Sequence, residues 1–393
     1  MTQLQPRHTM NRRAALRGIG SCALAAACIK SVNSQAEQPG DAPLPDWLTF
    51  PGEQWKRITL EEAGINRAEY EKLLAAAKIG PKGWGGTKPD QSQWGAVLTR
   101  GGCLVQSWGD PSFKTQSASL GKCITRALIG ISAERGRLKL DEPICQTWTG
   151  RGQLSHPHKY LDTGHQAALT WRQLINHRGG FVLESGYHWR NGTEFHKEIP
   201  PWAATTRDPL FDNYAHGEPG KITHYSSGGY WRLGQALTAL WDKDLKQVLQ
   251  DELFSPLGIP ADRWDWLAGK TVHDTRDFYP AFPGYGEYID PPYEINGHVV
   301  RGAPGWFVIS SEDLARFGLL VATRGRWRNR QLVGADWLQG HAGLDIHVVA
   351  GDTRTLVAIA KTNTGGFPFG VDVGTSGNFA FPANLITGPN LYK

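Results

Sequence analysis

Across its 393 residues the chain has no apolar run long enough to cross a bilayer as a helix, which excludes a helical membrane-spanning architecture. It also lacks a real charge imbalance. The formal net charge is +5, but Arg7, Arg12, Arg13, Arg17 and Lys30 sit within residues 1–36 with no acid beside them. Beyond residue 36 the remaining 37 basic residues meet 37 acidic ones. A neutral body carries no electrostatic footprint for nucleic acid or an anionic membrane surface. Cysteine is sparse, five in all. Setting aside Cys22 and Cys28 leaves Cys103, Cys123 and Cys145, an odd number that permits one internal bridge at most. Disulfides therefore do not define this fold. No internal repeat or low-complexity tract is present. Tryptophan, at 16 residues, is plentiful, in a chain long enough for one large domain or two lobes.

The N-terminal stretch "MNRRAALRGIGSCALAAACIKSVNSQAEQPG" combines a twin arginine (Arg12, Arg13), a modest Ala/Leu/Ile run and Ser34-Gln35-Ala36, a small-x-small site before Glu37. It resembles a bacterial twin-arginine export signal, which implies delivery in folded form to the periplasm or beyond. The plainer alternative, an amphipathic basic helix, lacks its charged face. Lipid attachment at Cys22 or Cys28 stays open, although Cys22 crowds the arginines and Cys28 lacks a preferred leucine. Residues 37–55, with the Pro-rich "AEQPGDAPLPDW", read as an extended linker. Residues 56–393 read as one domain.

Within it, "NRAEYEKLLAAAKIG" predicts a helix closed by Gly80, and "WGAVLTRGGCLVQSWG" predicts a hairpin about Gly101-Gly102. Leu120, Cys123, Ile124, Ala127, Leu128 and Ile131 recur at offsets of three and four, the buried stripe of a helix ending near Gly136. "GYWRLGQALTALW" predicts another helix, continued by "DLKQVLQDELFSPLG". "SSEDLARFGLLVATRG" is a third, with Ser310 or Ser311 as N-cap and Glu312 and Asp313 in its first turn. "LDIHVVAGDTRTLVAIAKTN" reads as a second hairpin about Gly351-Asp352. Strand signals at both ends, with helices and irregular connections between, predict an α/β (α+β) fold. An antiparallel sheet from both chain ends is flanked by helices, as a sheet lobe of about 56–140 and 300–393. A mostly helical lobe of about 141–299 interrupts it, and the cleft between lobes is the default binding site.

Chemistry concentrates at "SLGK" (119–122), where a serine precedes a lysine by three residues at a helix start. Locally this reads equally well as a serine capping a helix. The surroundings decide. "ERGRLKLDEPI" (134–144), "LTWRQLINHRGGF" (169–181), "GKITHYSSGGYWRLGQAL" (220–237) and "GAPGWFVISSEDLARFGLLV" (302–321) follow in order. Together these segments resemble the serine β-lactamase and penicillin-recognising superfamily, in particular the class C β-lactamase-like serine hydrolases and esterases. That resemblance implies a β-lactamase/transpeptidase-like fold and a nucleophile at Ser119. A serine hydroxyl needs a base within hydrogen-bond reach. Lys122, one helical turn on, shares its face, and the Ser119 N–H at the helix start suits half an oxyanion hole.

The resemblance further gives Tyr225 a part in proton transfer, in the family's Tyr-x-Asn motif. Here the chain reads Tyr225-Ser226-Ser227, so Ser227 replaces an asparagine that would contact a substrate amide or orient the lysine. For the third motif two candidates stay open. His341-Ala342-Gly343 precedes the terminal hairpin, where the motif belongs, and Lys361-Thr362-Asn363 resembles Lys-Thr-Gly in letters. On the first reading, Gly343 admits the acyl group to the strand backbone, the Leu344 N–H is the second oxyanion donor, and His341 donates to a carboxylate or ester oxygen. His156-Pro157-His158 has a metal-like spacing but reads as an exposed loop. For His177 and Arg178, in the "LINHRGG" segment, the resemblance implies a structural role, and Trp189, Trp264, Trp266 and Trp306 read mostly as packing. The expectation is an exported serine hydrolase with no metal or organic cofactor, acting on a small-molecule or peptide ester or amide. β-Lactam or D-alanyl-peptide turnover, and a non-catalytic secreted binding protein, are the alternatives.

Overall fold

The computed structural model describes residues 43–77, 79–80, 83–84, 94–117, 121–154, 157–181, 215, 217–221, 223, 226–274, 291–338 and 358–363. After α1 (Arg67–Ala77), strands β1 (Trp94–Arg100) and β2 (Cys103–Gly109) form the expected antiparallel hairpin. Its turn needs two left-handed residues, which Gly101 (φ 58°) and Gly102 (φ 78°) supply. Gly102 has a second reason to lack a side chain, since a Cβ there would fall 1.7 Å from the Thr49 carbonyl oxygen. The chain from Leu44 onward is strapped along this hairpin. The Thr49 N–H donates to the Gly101 carbonyl (2.9 Å), and Leu104 exchanges bonds with Lys56 (2.8 Å) and Ile58 (3.1 Å). Trp55 Nε1 donates to the Glu312 carbonyl (3.2 Å) and Arg316 Nη2 to that of Glu53 (3.0 Å). Over 44–55, then, the stretch read as a linker is held by the domain rather than standing away from it.

Strand β3 (Lys114–Gln116) leads into α2 (Gly121–Glu134). Helices α3 (Trp171–Ile175), α4 (Ser227–Trp241) and α5 (Leu245–Leu249) follow, then β4 (Asp265–Trp266), β5 (Phe307–Ser310), α6 (Ser311–Ala322), α7 (Ala335–Leu338) and β6 (Ala358–Asn363). β6 pairs antiparallel with β1, Lys361 opposite Ala96, to give the order β6-β1-β2. The sheet is thus built from both ends of the domain, as the strand signals predicted. A second antiparallel sheet has the order β3-β5-β4, and α6 packs across β1 and β6.

Helices α2 and α4 are buried on nearly every face, as expected of helices at a domain centre. In α2, Ile124, Leu128, Ile129 and Ile131 are almost fully enclosed, each contributing roughly 1.5–3 kcal/mol by burial. Gly136, at φ 68°, closes the chain after α2. Two expectations change in detail. The helix read through residues 229–258 breaks at Asp242, which turns left-handed (φ 48°), and Asp244 recaps the chain by accepting from the Lys246 N–H at 2.9 Å. Arg301 grips the same Asp244 carboxylate, fixing the break. At α6 the cap is Ser310, accepting from the Asp313 N–H (3.3 Å), while Ser311 Oγ donates to the Pro111 carbonyl (3.0 Å). Of the expected terminal hairpin only β6 lies within the described residues. Among the described residues, Cys103, Cys123 and Cys145 form no disulfide.

Candidate active site

The lysine of "SLGK" lies at the start of α2 and is 1 % exposed. Three features of the sequence seat that start. Ser117 is clamped to β5: its N–H donates to the Phe307 carbonyl (2.6 Å) and its Oγ accepts from the Phe307 N–H (3.2 Å). Gly121 then lies flat on the 302–307 loop, where a Cβ would come 2.5 Å from the Phe307 ring and 2.7 Å from Gly305 Cα. One turn on, Thr125 Oγ1 donates to the Ala303 carbonyl (2.8 Å). The loop itself is shaped by Trp266, whose Nε1 lies 2.9 Å from the Gly302 carbonyl oxygen and 3.0 Å from that of Gly305. Trp306 takes a left-handed φ of 66° there.

Lys122 Nζ donates to Ser227 Oγ (3.1 Å) and to the Pro304 carbonyl (2.9 Å), and stands 5.4 Å above the Tyr230 ring centre. Residues 105 positions apart in sequence are thereby joined, one at the first turn of α2 and the other at the first residue of α4. Ser226 caps α4, its Oγ accepting from the Gly229 N–H at 3.1 Å. A hydroxyl and a carbonyl acceptor together fix the position of the amine. Of the residues singled out from sequence, Lys122 and Ser227 are brought together. Ser119, Tyr225, His341, Gly343 and Leu344 lie outside the described residues. The alternative third motif, Lys361-Thr362-Asn363, ends β6 opposite Ala96, Gly95 and Trp94.

Sequence reasoning did not find the Pro304 carbonyl, because a backbone acceptor leaves no mark in residue type. It also assigned His177 only a structural part. His177 is 6 % exposed, and its Nδ1 accepts a bond from the Ser226 N–H at 3.0 Å. Burial, with the positive charges of Lys122 and Arg126 adding to it, pushes the imidazole down to about 3. The ring is therefore neutral at ordinary pH. Among the described residues, no three His, Cys, Asp or Glu side chains gather to hold a metal ion. Trp264, Trp266 and Trp306 are core residues, as their packing reading had it. Trp189 and His156 lie outside the described residues.

A family model described as Beta-lactamase matches residues 96–377. No curated protein matches. Among solved structures, the chain is similar to a putative 6-aminohexanoate-dimer hydrolase from Bacillus anthracis, with 16% identity over 75% of this chain and 67% of that one, at a TM-score of 0.44. It is similar to an octameric penicillin-binding protein homologue from Pyrococcus abyssi, with 16% identity over 69% of this chain and 58% of that one, at a TM-score of 0.40. A D-alanine carboxypeptidase AmpC from Burkholderia cenocepacia gives 13% identity over 71% and 68%, at a TM-score of 0.40. With the family match spanning well over half of its length, the chain belongs to the β-lactamase family of serine hydrolases.

Proposed function

We propose that the protein is an exported serine hydrolase that cleaves an ester or amide through an acyl-serine intermediate. The observation that carries this is the buried bond from Lys122 Nζ to Ser227 Oγ, 3.1 Å. It joins the helix that starts just after Ser119 to the helix that starts just after Tyr225. On this reading the Ser119 hydroxyl attacks the substrate carbonyl and Tyr225, its pKa lowered by the neighbouring Lys122 ammonium, takes the proton. The N–H groups of Ser119 and Leu344 hold the oxyanion, with Gly343 leaving room beside the strand and His341 donating to the substrate. Collapse of the tetrahedral adduct returns the proton to the leaving group. Water then attacks the acyl-serine, gives up its proton by the same route, and frees the acid.

Ser227 supports an esterase- or peptidase-like preference over β-lactam turnover. A shorter hydroxyl replaces the amide that would reach a substrate amide, and in this chain its oxygen accepts from Lys122. The twin-arginine leader over residues 1–36 supports export, with the hydrolase domain following the 37–55 segment.

Fluorophosphonate labelling tests the assignment. The wild-type protein should take one label on the peptide holding Ser119, and Ser119→Ala should take none; equal labelling of the two sinks the proposal. A chromogenic cephalosporin should be turned over slowly or not at all beside an activated ester, and rapid turnover would move the substrate class to β-lactams.

A further inference from the structure

Asn176 and His177, at the end of α3, connect the two helix starts described above. Asn176 Oδ1 accepts from Arg126 Nη1 on α2 (3.4 Å), while Arg126 Nε donates to the Trp337 carbonyl (3.2 Å). His177 reaches the opposite way. Its Nδ1 takes the N–H of Ser226 (3.0 Å), and its ring packs on Tyr230 with centroids 5.0 Å apart. Tyr230 in turn donates its hydroxyl to the Ile175 carbonyl (3.1 Å), so α3 holds α4 from both sides of the imidazole. The amide that His177 accepts belongs to the peptide bond between Tyr225 and Ser226. It is therefore a direct grip on the backbone of Tyr225.

Building on the function proposed above, we propose that His177 is a positioning residue: its neutral imidazole, bound through Nδ1 to the Ser226 amide, sets the Ser226-Ser227 start of α4 against Lys122. The bond requires a lone pair on Nδ1, so the ring carries its one proton on Nε2. A protonated ring would aim an N–H at the Ser226 N–H and release this helix start. Among the described residues, Lys122 and Arg126 from α2 are charged groups that face it, and Tyr230 from α4 is a titratable group packed on it. Both cations oppose a third positive charge in the same buried space. The backbone fits the role as well. His177 is left-handed, at φ 56°, a conformation in which Asn and His are enriched and β-branched residues are strained. Asparagine is thus the conservative replacement, keeping an acceptor and tolerating the backbone. Leucine keeps bulk and loses the acceptor.

The test is the rate of fluorophosphonate labelling against pH in the full-length protein, for the wild type, His177→Asn and His177→Leu, with Ser119→Ala as control. A displacement of about 1 Å at a reacting group costs up to ~10²-fold in rate, so His177→Leu should label about 10- to 100-fold more slowly per folded molecule. Its rising limb should also move to higher pH, because a phenol displaced from the lysine loses the charge that lowers its pKa. His177→Asn should stay within about threefold of the wild type, with the limb unmoved, since only a fraction of that displacement is expected. A purely structural histidine would lower the folded fraction and leave the limb alone. An unchanged rate and limb in His177→Leu overturns the proposal, as does His177→Asn being equally slow. Should His177→Leu fail to fold, ¹⁵N-histidine spectra of the wild type decide, with the His177 signals assigned by their loss in His177→Asn. A neutral ring protonated on Nε2 at pH 7 and at pH 5 is expected, and an Nδ1–H tautomer or an imidazolium at pH 5 overturns it. Labelling of Ser119→Ala at the wild-type rate would instead remove the serine-hydrolase reading and leave the tautomer result standing.

Discussion

Lys122→Met should lower kcat for an activated ester by about 10²- to 10⁴-fold, the range for removing a group that serves proton transfer, while the melting temperature moves by only a few degrees. The stability half of this expectation follows from opposed terms. Lys122 is 1 % exposed, and enclosing an ammonium costs several kcal/mol that its bonds must offset. Methionine removes that desolvation cost and keeps an unbranched apolar stem of similar length. Against it stand the bonds that are lost, those to Ser227 Oγ and to the Pro304 carbonyl among them, at about 1–3 kcal/mol for each acceptor left buried. The two sides nearly cancel, whereas nothing replaces the amine in proton transfer. Steady-state kinetics and a thermal melt on the same preparation check both halves. A large loss of stability with kcat intact would make Lys122 a structural ion.

Gly121→Ala should be the most damaging one-carbon change near the site. The added Cβ would meet the Phe307 ring at 2.5 Å, Gly305 Cα at 2.7 Å and Ser117 Oγ at 2.7 Å. Only the Ser117 hydroxyl can turn away; Gly305 is backbone, and Phe307 is held between its strand bonds and the Trp266 indole, 4.4 Å from ring to ring. Overpacking of this kind costs about 1–3 kcal/mol, relieved here by lifting the first turn of α2 off the loop. Ser119 lies two residues before and Lys122 one residue after, so the shift reaches both. On the proposed mechanism kcat falls about 10- to 100-fold, beyond what the unfolded fraction explains. Activity per folded molecule, measured beside a denaturant melt, separates the two contributions. Unchanged kcat per folded molecule would mean that α2 can shift without cost to the site.

The hairpin at 94–109 was legible because alternation and a Gly-Gly turn name the same structure. The stripe of α2 was legible in Ile124, Ala127, Leu128 and Ile131, all enclosed, whereas the burial of Thr125, Ile129 and Ser132 on its other faces left no periodic mark. The break after α4 was not. Asp242-Lys243-Asp244 reads as a polar helix face, and Arg301, which grips the Asp244 carboxylate at the new cap, lies 57 residues beyond it. At the site, the resemblance singled out Lys122 and Ser227, but it gave Ser227 as the loss of an asparagine, so the bond between the two was not legible. What it could not carry was a backbone carbonyl, at Pro304, or the protonation of a histidine whose environment comes from another helix. The polar run Asn176-His177-Arg178 before two glycines was the one local signal, since a left-handed histidine at a helix end needs a reason to be there.

The most direct measurement is rapid-quench mass spectrometry of the protein during turnover of an activated ester, followed by peptide mapping. The account predicts one acyl group, carried by Ser119 at early times, cleared as substrate runs out, and missing in Ser119→Ala. Product formation with no covalent adduct, or an adduct on another residue, would contradict it.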